Sequence, residues 1–115
     1  MDFHFSQQDG IGVLNLSGSL IGETDGLPVL EAFGDQLSQG ITRYVIDMTH
    51  LNHINSTGLG MLITLLTRAR KAGGEVVLAN PSGFIQNLLV ITKLHTIFST
   101  FPDADAALAQ LNAGA

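Results

Sequence analysis

Strand-like and helix-like stretches alternate along this 115-residue chain, and that alternation predicts an α/β fold with a mostly parallel sheet. Three observations carry it. Arg43 to Met48 and Glu75 to Ala79 are short β-rich apolar runs, as in strands buried on both faces. Between them Leu59, Leu62, Ile63, Leu66 and Ala69 recur at helical spacing, and Gly73-Gly74 stops that helix. The chain also opens on two alternating segments joined by Asp9-Gly10, a hairpin signal that makes one sheet edge antiparallel.

The elements follow in order. Phe3 to Gln7 alternates as an edge strand, and Ile11 to Leu16 alternates as a second strand ending at Ser17-Gly18-Ser19. Glu23-Thr24-Asp25 reads as a helix start capped by Thr24, with Pro28 early in the helix. Leu27, Leu30, Phe33 and Leu37 continue it to about Gly40, and Gly34 weakens it slightly. The strand Arg43 to Met48 then leads through a connection, Thr49 to Ile54, into a helix from about Ser56 to Ala72. After the strand Glu75 to Ala79, Asn80-Pro81-Ser82 is a turn and cap for a helix bearing Phe84, Leu88, Leu89 and Ile91. Thr96 to Phe101 reads as the last strand, and Asp103 caps a helix from Ala104 to Leu111. The tail, Asn112 to Ala115, is expected to fray. The sum is ββαβαβαβα: a mixed, mostly parallel sheet of about five strands packed by about four helices, in one domain, 1–115.

Composition excludes several functions. A net charge of −5 with five scattered basic residues argues against nucleic acid or an anionic membrane as partner. Arg68, Arg70 and Lys71 form the one basic cluster, at a predicted helix C-terminus where cations complement the dipole. With no cysteine, thiol chemistry, disulfides and Cys-based metal sites are excluded. No apolar run reaches membrane-spanning length and no secretory leader is visible, so the expectation is a soluble, cytoplasmic protein without membrane insertion.

In parallel sheets, function gathers beyond the carboxyl ends of the strands. The stretch Asn55-Ser56-Thr57-Gly58-Leu59-Gly60 falls there, at a strand-to-helix transition. Four readings fit it. Asn55 or Ser56 is a plain helix cap, with Gly58 and Gly60 allowing close packing. Ser56 is a hydrolase nucleophile, but the elbow needs glycine two positions before and after, and Ile54 occupies the first. The turn cradles a nucleotide, but neither a Walker sequence nor a dinucleotide fingerprint is present. Or Ser56 is a phosphoswitch, its phosphate held by the N–H groups of Thr57 to Gly60 and acting on a partner docked over the turn.

Tyr44-Val45-Ile46-Asp47-Met48-Thr49, Ile54-Asn55-Ser56-Thr57-Gly58-Leu59-Gly60 and Ala72-Gly73-Gly74-Glu75-Val76-Val77-Leu78-Ala79-Asn80-Pro81 together resemble the bacterial anti-sigma factor antagonists of the STAS-domain family. The resemblance covers essentially the whole chain and implies a STAS-like fold. It implies a non-enzymatic module without cofactor, whose partner is an anti-sigma factor that is also a serine kinase. By position, phosphorylation falls on Ser56, with Thr57 the alternative, and a PP2C-type phosphatase reverses it. The implied partner-binding residues are Asn55, Ser56, Thr57, Gly58 and Leu59 of the turn. The residues themselves add Met61 and Leu65, read as an apolar strip beside Ser56 that Phe84 extends, against the plainer reading of a broad buried face.

Two positions depart from the family pattern. Asn55 and Ile21 stand where the family usually has aspartate, which also admits a scaffold module that docks on a signalling complex or transporter subunit without being phosphorylated. His50 and His53 have a metal-like spacing but fall in a predicted loop without a third ligand, and read as exposed loop histidines. His95 reads as a helix-end residue, and Asp47 as an acceptor for loop amides.

Overall fold

The computed structural model describes residues 1–113. Strand β1 (Asp2–Gln8) turns at Asp9 and Gly10, both at positive φ, into β2 (Ile11–Leu20). Two consecutive left-handed residues give the turn whose twist matches an antiparallel pair, which explains Asp-Gly at this position. Helix α1 (Glu23–Ser38), β3 (Arg43–Ile54), α2 (Ser56–Lys71), β4 (Glu75–Ala79), α3 (Gly83–Ile91), a 3₁₀ turn (Leu94–Thr96), β5 (Thr100–Phe101) and α4 (Ala104–Ala113) follow. The sheet order is β1-β2-β3-β4-β5; β1 pairs antiparallel with β2, and every other pairing is parallel. The expected element order and mixed sheet are therefore observed.

Two apolar layers flank the sheet. On one face α1, α2 and α3 cover Leu14, Leu16, Tyr44, Ile46, Met48 and Leu78. On the other, α4 covers Ile11, Val13, Val45, Val77 and Ala79 through Ala107, Leu108 and Leu111. A strand with helices on both sides has no polar face, which is why β3 and β4 read as unbroken apolar runs.

Boundaries differ from expectation in five places. Thr49 to Ile54 is not a connection but the continuation of β3, paired with Ser17–Leu20 of β2 across two register shifts. The shifts put Leu51 and Ile54 into the core three residues apart, so two-residue alternation is lost and the segment does not read as a strand. β2 likewise runs on to Leu20. α1 is capped at Gly22 rather than Thr24: the Asp25 carboxylate accepts the Gly22 N–H at 3.2 Å and the Ile21 N–H at 3.4 Å. The last strand shrinks to Thr100–Phe101 because Lys93, at positive φ, turns the chain into the 3₁₀ segment first. Of the tail expected to fray, Asn112 and Ala113 belong to α4, whereas Gly114 and Ala115 lie outside the described residues.

The short β5 leaves the outer edge of β4 open over its first residues. The Val76 N–H donates instead to the Glu75 carboxylate at 3.1 Å, and Arg70 holds that carboxylate at 3.2 Å while also donating to the Ile97 carbonyl. The cation cluster at the end of α2 thus does more than complement a dipole; one member closes a sheet edge.

Tyr44 is fully buried against Phe33, and its hydroxyl donates to the Ile41 carbonyl. Burial pushes the phenol from 10.0 up to about 12. Because the folded value lies above the unfolded one, this contribution is fully present below pH 10.0 and is lost as pH rises towards about 12. The urea midpoint is expected to fall across that alkaline window, and less steeply in Tyr44→Phe. Equal slopes for the two proteins would assign the loss to other groups.

Candidate functional site

Asn55 sits between the end of β3 and the start of α2 with extended backbone angles, as an N-cap must. Its side-chain oxygen accepts the Gly58 N–H at 3.0 Å, and its backbone oxygen accepts the Leu59 N–H at 2.9 Å. The side-chain amide of Asn55 donates to the Ile21 carbonyl at 2.7 Å. One residue therefore caps α2 and ties it to the chain leaving β2. Of the two cap candidates the structure selects Asn55, so Ser56 is the first residue of the helix and not its cap.

Ser56 and Thr57 are exposed, and both stand at the positive end of the α2 dipole. Phosphate contacts are narrower than the sequence suggests. The Gly58 and Leu59 amides are already taken by Asn55, which leaves those of Ser56 and Thr57 at the helix mouth. Gly58 is buried at a close approach: a Cβ there would lie 2.3 Å from the Leu20 carbonyl oxygen and 2.7 Å from Ile54 Cγ1. This contact lets the turn sit directly on the ends of β2 and β3.

Met61 and Leu65 do not form an exposed strip. They are 7% and 0% exposed, and the broad buried face is what is observed. The reason is α1, which packs across α2 at Gly26; a Cβ on Gly26 would lie 3.1 Å from Met61 Sδ. Leu59 is buried with them, so Gly58, Leu59, Met61 and Leu65 support the turn from beneath while Asn55, Ser56 and Thr57 form its surface. Phe84 is exposed on α3, but the strip it was expected to extend is absent. The exposed apolar side chains by the turn are instead Ile21, singled out in the sequence only as a departure from the family pattern, and Leu27, missed there because it fits the buried stripe of α1. Beside them a groove of about 310 Å³ opens between the first turns of α1 and α2, over Leu20, Gly26, Leu30 and Met61, with Thr57 on its wall.

None of the other polar candidates is hydrogen-bonded to Ser56 among the described residues. Asp47 accepts the Thr49 N–H at 3.0 Å and the Thr49 hydroxyl, so it does bond a nearby amide, though one within β3 rather than in a loop. His50 and His53 are exposed, on β3 rather than in a loop, each followed by a residue, Leu51 or Ile54, that turns inward. The His95 ring contacts the Leu89 carbonyl at 3.4 Å. Among the described residues no group of three or more His, Asp or Glu is placed to hold a metal, and no helix is long and apolar enough to cross a membrane.

The sequence model of the STAS domain matches residues 3–107. The chain belongs to the STAS domain family. A STAS-domain containing protein of Pseudomonas aeruginosa (strain UCBPP-PA14) is 32% identical over 56 residues, 49% of this chain and 55% of that protein. In that match the chain spans about half of the relative's length. A Thermotoga neapolitana protein named as a candidate anti-sigma factor antagonist is 24% identical over 79 residues, 69% of this chain and 70% of its own. Among solved structures, the anti-sigma factor antagonist SpoIIAA of Bacillus superposes in its unphosphorylated form with a TM-score of 0.77 at 16% identity, covering 99% of this chain and 100% of that one. Its phosphorylated form superposes with a TM-score of 0.74. At such identity the likeness shows the STAS fold: five strands, mostly parallel, and four helices.

The double role of Asn55 gives a test of the turn. Asn55→Ala removes a cap and a clip, each contributing about 1 kcal/mol. Asn55→Asp keeps the cap and suits the helix dipole but cannot donate to Ile21. Urea denaturation is expected to rank wild type above Asn55→Asp and Asn55→Ala lowest. An Asp variant equal to wild type would show that the Ile21 contact contributes no more than the added charge gains at the helix dipole.

Proposed function

We propose that this STAS domain is an anti-sigma factor antagonist, a regulatory binding module rather than an enzyme. It engages an anti-sigma factor that is also a serine kinase through the surface of Asn55, Ser56 and Thr57, held in place by Gly58, Leu59, Met61 and Leu65. The kinase phosphorylates Ser56 and so releases the complex, and a PP2C-type phosphatase restores it. The observation that carries this reading is an exposed hydroxyl at the first position of α2 whose capping work is done by its neighbour. Ser56 is therefore free to change chemically without loss of the helix start. With two of the nearby amides already used, an added phosphate keeps much of its charge directed outward, towards whatever covers the turn. The existence of SpoIIAA in unphosphorylated and phosphorylated forms on the same fold supports a modification that leaves the fold intact.

The test is intact-mass spectrometry after incubation with ATP and the anti-sigma kinases encoded in the same genome, with the site mapped by fragmentation. One phosphate on Ser56, absent from a folded Ser56→Ala variant, is expected. Modification of Thr57 instead would keep the mechanism and move the site. A protein that binds its partner but takes no phosphate from any of these kinases would contradict the switch. It would favour the scaffold reading, to which the uncharged Asn55 and Ile21 belong.

A further inference from the structure

Beside the switch turn lies a surface feature that the phosphoswitch does not use. The groove between α1 and α2 is floored by Leu20, Leu30 and Met61, and Thr57 and Thr64 stand on its α2 side. Its α1 side carries Leu27, 56% exposed, with Ile21 beyond the first turn of the helix at 51%. Exposed leucine and isoleucine beside an apolar hollow mark a docking surface more strongly than either residue alone. Charge then restricts what docks. Glu31 and Asp35 follow Leu27 at intervals of four on α1, so the three share one helix face, and both carboxylates are exposed. α1 contains no Lys, Arg or His. The five basic side chains of the protein lie elsewhere: Arg43 at the start of β3, Arg68, Arg70 and Lys71 in the last turn of α2, and Lys93 beyond α3.

We infer that this groove is a docking site for a partner protein segment that presents an aliphatic or aromatic side chain flanked by Lys or Arg. The apolar side chain enters between Leu27 and Met61, and the cations lie along Glu31 and Asp35. The inference takes from the proposed function only its position beside Ser56. Both helices start at the same end of the sheet, so Glu31 and Asp35 lie about two and three turns away from that end. A phosphate on Ser56 therefore meets the apolar part of the docked segment, where its bulk and the cost of stripping its water oppose binding, rather than the cationic flank.

The experiment uses synthetic peptides and amide NMR spectra of the isotope-labelled full chain. The probe is Arg-Arg-Leu-Phe-Arg-Arg, with Glu-Glu-Leu-Phe-Glu-Glu and Arg-Arg-Ala-Ala-Arg-Arg as controls. Saturating shifts are expected at Leu27, Thr57, Met61 and Thr64 with the probe, and binding at least about tenfold weaker with either control. Leu27→Asp, at an exposed position, and Thr64→Phe, which fills the groove from α2, are each expected to remove the saturable shifts while the rest of the spectrum stays folded. Equal binding of the Ala control would overturn the proposal, since charge alone would then suffice. Shifts centred on Phe84 and Ile91 of α3 would overturn it as well. Phosphorylation is read separately by mass, so a chain that binds the probe yet takes no phosphate loses the switch and keeps the groove.

Discussion

Gly58→Ala is expected to destabilise the protein by about 1–3 kcal/mol, although alanine is the better helix former by about 1 kcal/mol. The new Cβ would lie 2.3 Å from the Leu20 carbonyl oxygen and 3.0 Å from Leu20 Cγ. The first of these is backbone at the end of a paired strand, so it cannot swing aside as a side-chain tip does. Relief requires α2 to lift off β2, which stretches the Asn55 contact to the Ile21 carbonyl. Gly34→Ala, in the interior of α1 with nothing within 4 Å of the added carbon, is the matched control. It is expected to gain about 0.5–1 kcal/mol. The same chemical change thus has opposite signs at two helical glycines, and urea midpoints compare them directly. Equal midpoints would mean that α2 does not rest on β2 as described.

Most of the fold was legible because its signals are local. Apolar runs in β3 and β4, helical spacing in α2, Asp9-Gly10 and Gly73-Gly74 each depend on a few neighbouring residues. What escaped depends on contacts between distant segments. The second half of β3 is a strand only because β2 runs alongside with shifted register, and the shift erases the alternation that would have shown it. Met61 and Leu65 are buried because Gly26 of α1 lets that helix come close, which no pattern within α2 records. Leu27 shows the reverse: it fits the apolar spacing of α1 yet faces outward at the groove. At the site, the sequence narrowed the cap to Asn55 or Ser56 but not further. The choice of Asn55 follows from its bond to Ile21, a residue 34 positions away.

Phosphorylation of Ser56 is expected to change the affinity for the partner kinase far more than the stability of the domain. Ser56 does not cap α2, and its side chain is not part of the core. A dianionic phosphate at the first helical residue is compatible with the dipole and with the remaining amides of Ser56 and Thr57. In a complex packed over Asn55, Ser56 and Thr57, the same group must lose water and find room among closely fitted atoms. That cost falls on the complex alone, so binding is expected to weaken by at least about a hundredfold, equivalent to about 2.7 kcal/mol. Ser56→Ala is expected to bind like the unmodified protein and to be insensitive to ATP. Ser56→Asp carries one charge and a smaller group, and is expected to fall between.

Titration calorimetry of the partner kinase with unmodified and Ser56-phosphorylated protein, alongside urea denaturation of both forms, tests the switch most directly. Nearly equal urea midpoints and an affinity lost on phosphorylation are expected. Equal affinities, or a phosphorylated protein that binds weakly only because it is unfolded, would contradict it.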